Sequence, residues 1–265
     1  MLPGGYGEVM PFPPRLGLQR FGRALAVVAT ATVTAGVLLP LPTQAATPLA
    51  GKVIGIDPGH NGRNWSDPSY LNRRVWNGRA WESCDTTGTS TGSGYAEPAF
   101  TFSVAQYLAA DLRAEGAKVV WTRTTNTGVG PCVDRRAKLL NAGHAKVSID
   151  IHADGGPSGG RGFSILEPVA DGPNNAVIRS SARFGSYVRS SFARMTGMPI
   201  SNYYGTNGIA RRSDLAGLNL TTEPKVLIEC GNMRNWRDAA LQKSNPWRQK
   251  AARALADAIT RFLTG

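Results

Sequence analysis

The chain of 265 residues contains three histidines, and two of them sit where chemistry is plausible. His60 closes the run Asp57-Pro58-Gly59-His60-Asn61-Gly62, and His152 closes Ser148-Ile149-Asp150-Ile151-His152-Ala153-Asp154. Each follows a short apolar stretch and stands close to glycine and to Asn or Asp. His144 follows Asn141-Ala142-Gly143 in a helix-to-strand connection and reads as structural. Hydrolytic zinc sites take three protein ligands from His, Asp and Glu and keep a fourth position for water. Two loop-borne histidines and one carboxylate satisfy that rule. No HExxH occurs, so the helical metalloprotease arrangement is excluded. On spacing alone each histidine has a second reading, an ordinary hydrogen-bonded loop residue.

The elements that must carry these residues alternate. Residues 52–56, 118–122, 147–152 and 225–229 are short apolar or β-branched runs and predict strands, with another expected at 162–166. Glu97-Pro98 opens a helical stretch with Phe100, Val104, Leu108 and Leu112 on one face, ended by Gly116. Further helices are expected over 134–142, over 174–195 with Val177, Ala182, Tyr187 and Phe192 inward, and over 247–263 with Ala251, Leu255, Ile259 and Phe262 inward. Alternation of this kind predicts an α/β fold, an open, mostly parallel twisted sheet with helices on both faces. Catalytic groups in such sheets collect at the carboxyl ends of the strands. His60, His152 and Glu229 all fall there. Residues 61–96 show no sustained period and read as a long functional loop.

Residues 1–45 have the layout of a secretory signal: Arg15, Arg20 and Arg23, an uncharged run over 24–39, then Pro40, Pro42, Thr43 and Ala45. A retained anchor is the alternative, but the run is short for a bilayer span. Cleavage after Ala45 leaves one catalytic domain over 46–265, expected as a monomer without a stable membrane span and located outside the cell membrane, in periplasm or wall. The full chain carries a net charge of +12, and the leader accounts for little of it. A secreted basic protein is drawn to polyanions such as wall polymers and muropeptide carboxylates. No recognition helix or aromatic–basic motif favours nucleic acid. Of the three cysteines, Cys84 and Cys132 lie in loop sequence and are expected to pair, leaving Cys230 as a buried thiol after Val226-Leu227-Ile228-Glu229.

Taken in order, the two histidine motifs, Glu97 at a helix start and Leu227-Ile228-Glu229-Cys230-Gly231-Asn232-Met233-Arg234-Asn235 resemble the zinc-dependent N-acetylmuramoyl-L-alanine amidases with a His-Glu-His metal site, and in particular the short single-domain mycobacterial type. The resemblance spans residues 51–263. It implies His60, Glu97 and His152 as ligands of one zinc ion and Glu229 as the catalytic carboxylate. It also implies peptidoglycan or muropeptides as substrate, cut at the amide joining N-acetylmuramic acid to L-alanine. Zinc lowers the pKa of bound water to about 7, and a neighbouring carboxylate can move the proton to the leaving amine. A zinc peptidase cutting within the stem peptide and a non-catalytic wall-binding regulator remain as rival readings. The sequence departs from the family at Asp154-Gly155, where Asn-Ala is common, and at Cys230-Gly231-Asn232, where Gly-Phe is common after one small residue. Neither departure touches a ligand; both bear on the shape of the groove.

Softer assignments follow. Asp57 or Asp150 is a candidate to orient a ligand histidine; each is equally readable as a turn or strand-edge residue. Arg211, Arg212 and Asp154 are candidate substrate contacts, with the two arginines suited to stem-peptide carboxylates and a solvated loop as their alternative. Trp65, Trp76 and Trp81 form either a rim for sugar or peptide or a self-packed loop.

Overall fold

The computed structural model describes residues 47–265; the expected leader and its cleavage point lie outside the described residues. Strands β1 (Val53–Pro58), β4 (Lys118–Trp121), β5 (Val147–Asp154), β6 (Ser164–Pro168), β7 (Ile209–Arg212) and β8 (Lys225–Asn232) form one sheet. Their order is β4-β1-β5-β8-β6-β7. The first four are mutually parallel, β6 runs antiparallel to β8, and β7 is parallel to β6. The expected α/β class with a mostly parallel sheet is therefore observed. Helices α2 (Glu97–Ala114), α4 (Ile178–Thr196) and α7 (Asn245–Thr264) cover one face, and α3 (Val133–Ala142) and the short α5 (Ala216–Asn219) cover the other.

Successive side chains of a strand point to opposite faces, and here that alternation separates two environments. Ile54 and Ile56 of β1, Val147, Ile149, Ile151 and Ala153 of β5, and Val226, Ile228 and Cys230 of β8 enter one apolar core. Phe100, Val104, Leu108 and Leu112 of α2 and Ala251, Leu255, Ile259 and Phe262 of α7 meet them there, as their helical spacing predicts. The intervening positions Asp57, Ser148, Asp150, His152, Lys225 and Glu229 take the other face.

Three expectations are corrected. The fully buried face of α4 is Phe184, Val188 and Phe192, with Ser181 and Gly185; Tyr187 packs on the edge of the core only partly buried, and Ala182 is half-buried. The small residues decide it, because a Cβ on Gly185 would approach Glu167 of β6 to 2.8 Å. That helix also begins at Ile178, after a 3-10 turn at Asn175–Val177. The long loop 61–96 is partly ordered into regular structure: a 3-10 turn, α1 (Pro68–Leu71) and a small antiparallel hairpin of β2 (Arg74–Trp76) and β3 (Trp81–Ser83). Side-chain amides hold it where no period could. Asn61 donates to the Gly130 carbonyl at 2.7 Å, and Asn64 donates to the Thr86 carbonyl at 2.7 Å. Cys84 and Cys132 form the expected disulfide, and Cys230 is a buried free thiol.

Candidate active site and metal centre

His60, Glu97 and His152 converge. One ligand-capable atom from each lies within 4.8 Å of the other two. The imidazole rings stand nearly perpendicular, with centroids 4.9 Å apart. Glu97 bridges them, placing Oε2 3.3 Å from His60 Nε2 and Oε1 2.9 Å from His152 Nδ1. Its position at the start of α2 suits a carboxylate, since the helix N-terminus carries partial positive charge. Backbone N–H groups of Thr89 and Ala153 donate to its two oxygens at 2.9 and 3.2 Å. His60 adopts a positive φ of 57°, a backbone state disfavoured for a non-glycine residue and typical of functional sites. Two glycines make room: a Cβ at Gly59 would come within 2.3 Å of the His152 ring, and one at Gly88 within 2.7 Å of the His60 ring.

The outer partners of the histidines come from two sources. Asp150 Oδ1 lies 3.3 Å from His152 Nε2, so one of the two candidate aspartates faces a candidate ligand histidine. His60 Nδ1 is instead held by Asp85 at 2.9 Å, a residue that sequence reading missed. Its only local sign is the neighbouring Cys84, whose disulfide to Cys132 ties the Asp85 segment to the start of α3. From α3, buried Arg136 donates to Asp85 Oδ2, Asp57 Oδ1 and the carbonyls of Pro58 and His60, at 2.8–3.2 Å. Asp57 belongs to this support: it also accepts from Thr122 at 2.5 Å and from the fully buried Lys225 at 3.3 Å.

Electrostatics follow from the geometry. Burial works against a protonated His60, but Glu97 and Asp85 outweigh it and raise the imidazole to about 9. His152 is raised in the same way, burial being overcome by Asp150 and Glu97. Burial would raise Glu97, yet the two histidines hold it below the usual carboxylate range. The cluster thus demands positive charge at its centre. Two imidazoles and a carboxylate from three separate elements are also a donor set suited to a divalent cation. The residues fit such an ion.

Glu229 pairs directly with His152 in the parallel register of β5 and β8, so their side chains project from the same sheet face. Its Oε2 is shut off from solvent without a hydrogen-bond partner. Burial pushes this carboxyl up to about 8; His152 pulls it down, and Glu97 and Asp154 add to the rise. A cation at the trio acts in the opposite direction and favours the carboxylate. A cavity of about 380 Å³ opens beside the two histidines, lined among others by His60, His152, Glu229, Glu82, Arg212 and Leu227.

The softer candidates separate. Arg211 and Arg212 lie on strand β7, not in a loop, because β7 adds to the edge of the sheet beside β6. Alternation then turns Arg212 into the cavity wall, bound to both Asp214 oxygens at 2.6 Å, and leaves Arg211 exposed, 3.9 Å from Glu167. Asp154 accepts a hydrogen bond from the Tyr203 hydroxyl at 2.7 Å. Trp76 and Trp81 pack edge to face at 5.8 Å on the hairpin, whereas Trp65 borders a separate cleft of about 270 Å³. His144 is exposed and takes no part in the cluster.

A mostly parallel sheet carries here a His-Glu-His cluster able to hold a metal ion, with a further carboxylate beside it. The family model described as N-acetylmuramoyl-L-alanine amidase matches residues 54–261, and the chain belongs to that family of enzymes. It is 42% identical over 225 residues to the N-acetylmuramoyl-L-alanine amidase Rv3717 of Mycobacterium tuberculosis, covering 83% of this chain and 91% of that one. Two crystal structures superpose with a TM-score of 0.76 each: the amidase Ami1 from Mycobacterium smegmatis, at 41% identity and covering 81% of this chain and 98% of that one, and the apo form of Ami1 from Mycobacterium abscessus, at 40% identity and covering 81% and 100%. The chain is thus similar to single-domain amidases over nearly their whole length.

Proposed function

We propose that this enzyme hydrolyses the amide between the lactyl group of N-acetylmuramic acid and the L-alanine of the stem peptide, in peptidoglycan or its soluble fragments, with one zinc ion held by His60, Glu97 and His152. The observation that carries the mechanism is the adjacency of Glu229 to His152 with a free carboxylate oxygen at the cavity. When bound, the zinc ion supplies Lewis acidity, polarising the scissile carbonyl and making water a better acid. Glu229 takes the proton from the attacking water and delivers it to the leaving amine. The C–N bond breaks, giving a lactyl carboxylate and the free α-amine of L-alanine. Asp85 and Asp150 hold the imidazoles in place, as outer partners of metal-ligating histidines do. Arg212 contributes to the wall that seats the peptide, and Asp154, held by Tyr203, is a candidate contact outside that wall. The site of action is the cell wall, reached by secretion. Among the described residues no helix is long and apolar enough to cross a membrane.

Mass analysis of muropeptides treated with the purified protein tests this reading. The expected products are a free L-alanine amine and an intact muramic acid; cleavage inside the stem peptide would favour a peptidase, and binding without any cleavage a regulator. Chelation is expected to abolish turnover and added zinc to restore it, with metal content measured in parallel.

A further inference from the structure

Buried polar atoms without a partner are rare in folded proteins and call for an explanation. Two such atoms belong to residues lining the catalytic cavity: Glu229 Oε2, which the reaction uses, and Glu82 Oε1, which it does not. Glu82 stands on β3 and lines the cavity; burial pushes its carboxyl above the usual range, against hydrogen bonds from the Asn77 side chain and the Ala216 backbone and the charge of Arg74. Other cations around the cavity are already committed inside the protein. Arg212 is clamped to Asp214, Arg136 to Asp57 and Asp85, and Lys225 to Asp57 and Asp150. Arg74, beside Glu82 on the hairpin, turns its guanidinium to the Trp81 carbonyl and offsets the rise of Glu82 only in part. The wall is also acidic for so basic a chain, with Asp57, Glu82, Asp85, Asp150 and Glu229 against Arg136 and Arg212.

We propose that Glu82 receives a primary ammonium group carried by the peptide part of the substrate, so that the enzyme selects stem peptides bearing a free side-chain amine. This rests on the amidase reading above. An ammonium offers three donors and a full positive charge, and so completes the unpartnered oxygen and offsets the burial of the carboxylate. The apolar floor of Leu166, Leu215 and Leu227 suits the aliphatic stem of such a side chain.

The test uses two muropeptides that differ only in whether the side-chain amine is free or acetylated, given to the zinc-loaded wild type, Glu82→Gln and Glu82→Asp. Wild type is expected to prefer the free amine by roughly tenfold or more in kcat/KM, mainly through KM, as the loss of a charge-assisted hydrogen bond predicts. Glu82→Gln should bring that ratio close to one, and Glu82→Asp should keep part of it. The ratio is internal to each variant, so a general loss of folded enzyme does not alter it. Equal cleavage of both substrates by wild type, or an unchanged ratio in Glu82→Gln, overturns the proposal. Cleavage of neither substrate at the muramyl amide overturns the amidase reading instead. Calorimetric binding of the same pair to wild type then decides the ammonium contact separately: preference for the free amine supports it, and equal binding rejects it.

Discussion

Along β5, Val147, Ile149, Ile151 and Ala153 point into the apolar core beneath α2 and α7, while Ser148, Asp150 and His152 between them carry a hydroxyl, a carboxylate and an imidazole to the other side. Parallel sheets are usually apolar on both faces. This sheet is apolar on one and, on the other, sets ionic side chains beside a small apolar cluster of Leu166, Leu218 and Leu227. On the ionic face Lys225 lies 3.3 Å from Asp57 and 3.8 Å from Asp150, and the Ser148 hydroxyl donates to Glu223 at 2.7 Å. Buried ion pairs contribute little net stability, because desolvation consumes much of their attraction, but breaking one is costly. The apolar face therefore supplies stability, and the ionic face supplies geometry at the strand ends where the His-Glu-His cluster lies.

Four substitutions probe that division, taken from the largest expected effect to the smallest. Glu229→Gln should lower kcat by about 10²–10⁴, the range for removing a general base, while retaining zinc and melting close to wild type. Full turnover would remove Glu229 from the mechanism. On the apolar face, Phe100→Ala should cost about 3–5 kcal/mol in denaturant unfolding, with kcat per folded molecule near wild type; a comparable loss of kcat would show that the faces are not separable.

Asp57→Asn leaves Lys225 and Arg136 short of a counter-charge, and about 3–5 kcal/mol of destabilisation is expected. The carboxyl of Asp57 is disfavoured by burial, but Lys225 and Arg136 hold it well below the usual aspartate range. A native pKa lower than the unfolded one stabilises the fold above the unfolded value and loses that contribution as the pH falls toward the native one. Wild type should thus lose more stability than Asp57→Asn on acidification from about pH 5 to about pH 2. Parallel pH curves would contradict the assignment. Smallest in energy, Asp85→Asn should weaken zinc affinity by about 10–100-fold through a loosened His60, with a smaller loss of stability than Asp57→Asn because Arg136 keeps Asp57 as a counter-charge. Unchanged affinity by competition with a chelator would mean that the disulfide-tied segment does not position the ligand.

Much of this was legible in the residues. Apolar periodicity marked the inward faces of α2 and α7, because burial of a helix stripe needs only local spacing. His60 and His152 were marked by their places at strand ends, and Glu229 likewise. The face of α4 was legible only in part, with Val177 and Phe192 buried and Tyr187 at the core's edge, because small residues set its approach to β6. Arg211 and Arg212 looked like loop residues, since an edge strand of four residues carries too short a pattern to read.

What the sequence determined by itself is the order of elements, the alternation that sends Asp150, His152 and Glu229 to one side, and a set of motifs that together mark an amidase. Tertiary structure alone decided that Glu97, 37 positions from His60 and 55 from His152, bridges the two imidazoles. It alone recruited Asp85 and Arg136 to hold them and left one oxygen of Glu82 without a hydrogen-bond partner. The reason is physical: periodicity records which way a side chain faces, whereas convergence of charges from separate elements depends on register, packing and a disulfide that no local pattern encodes.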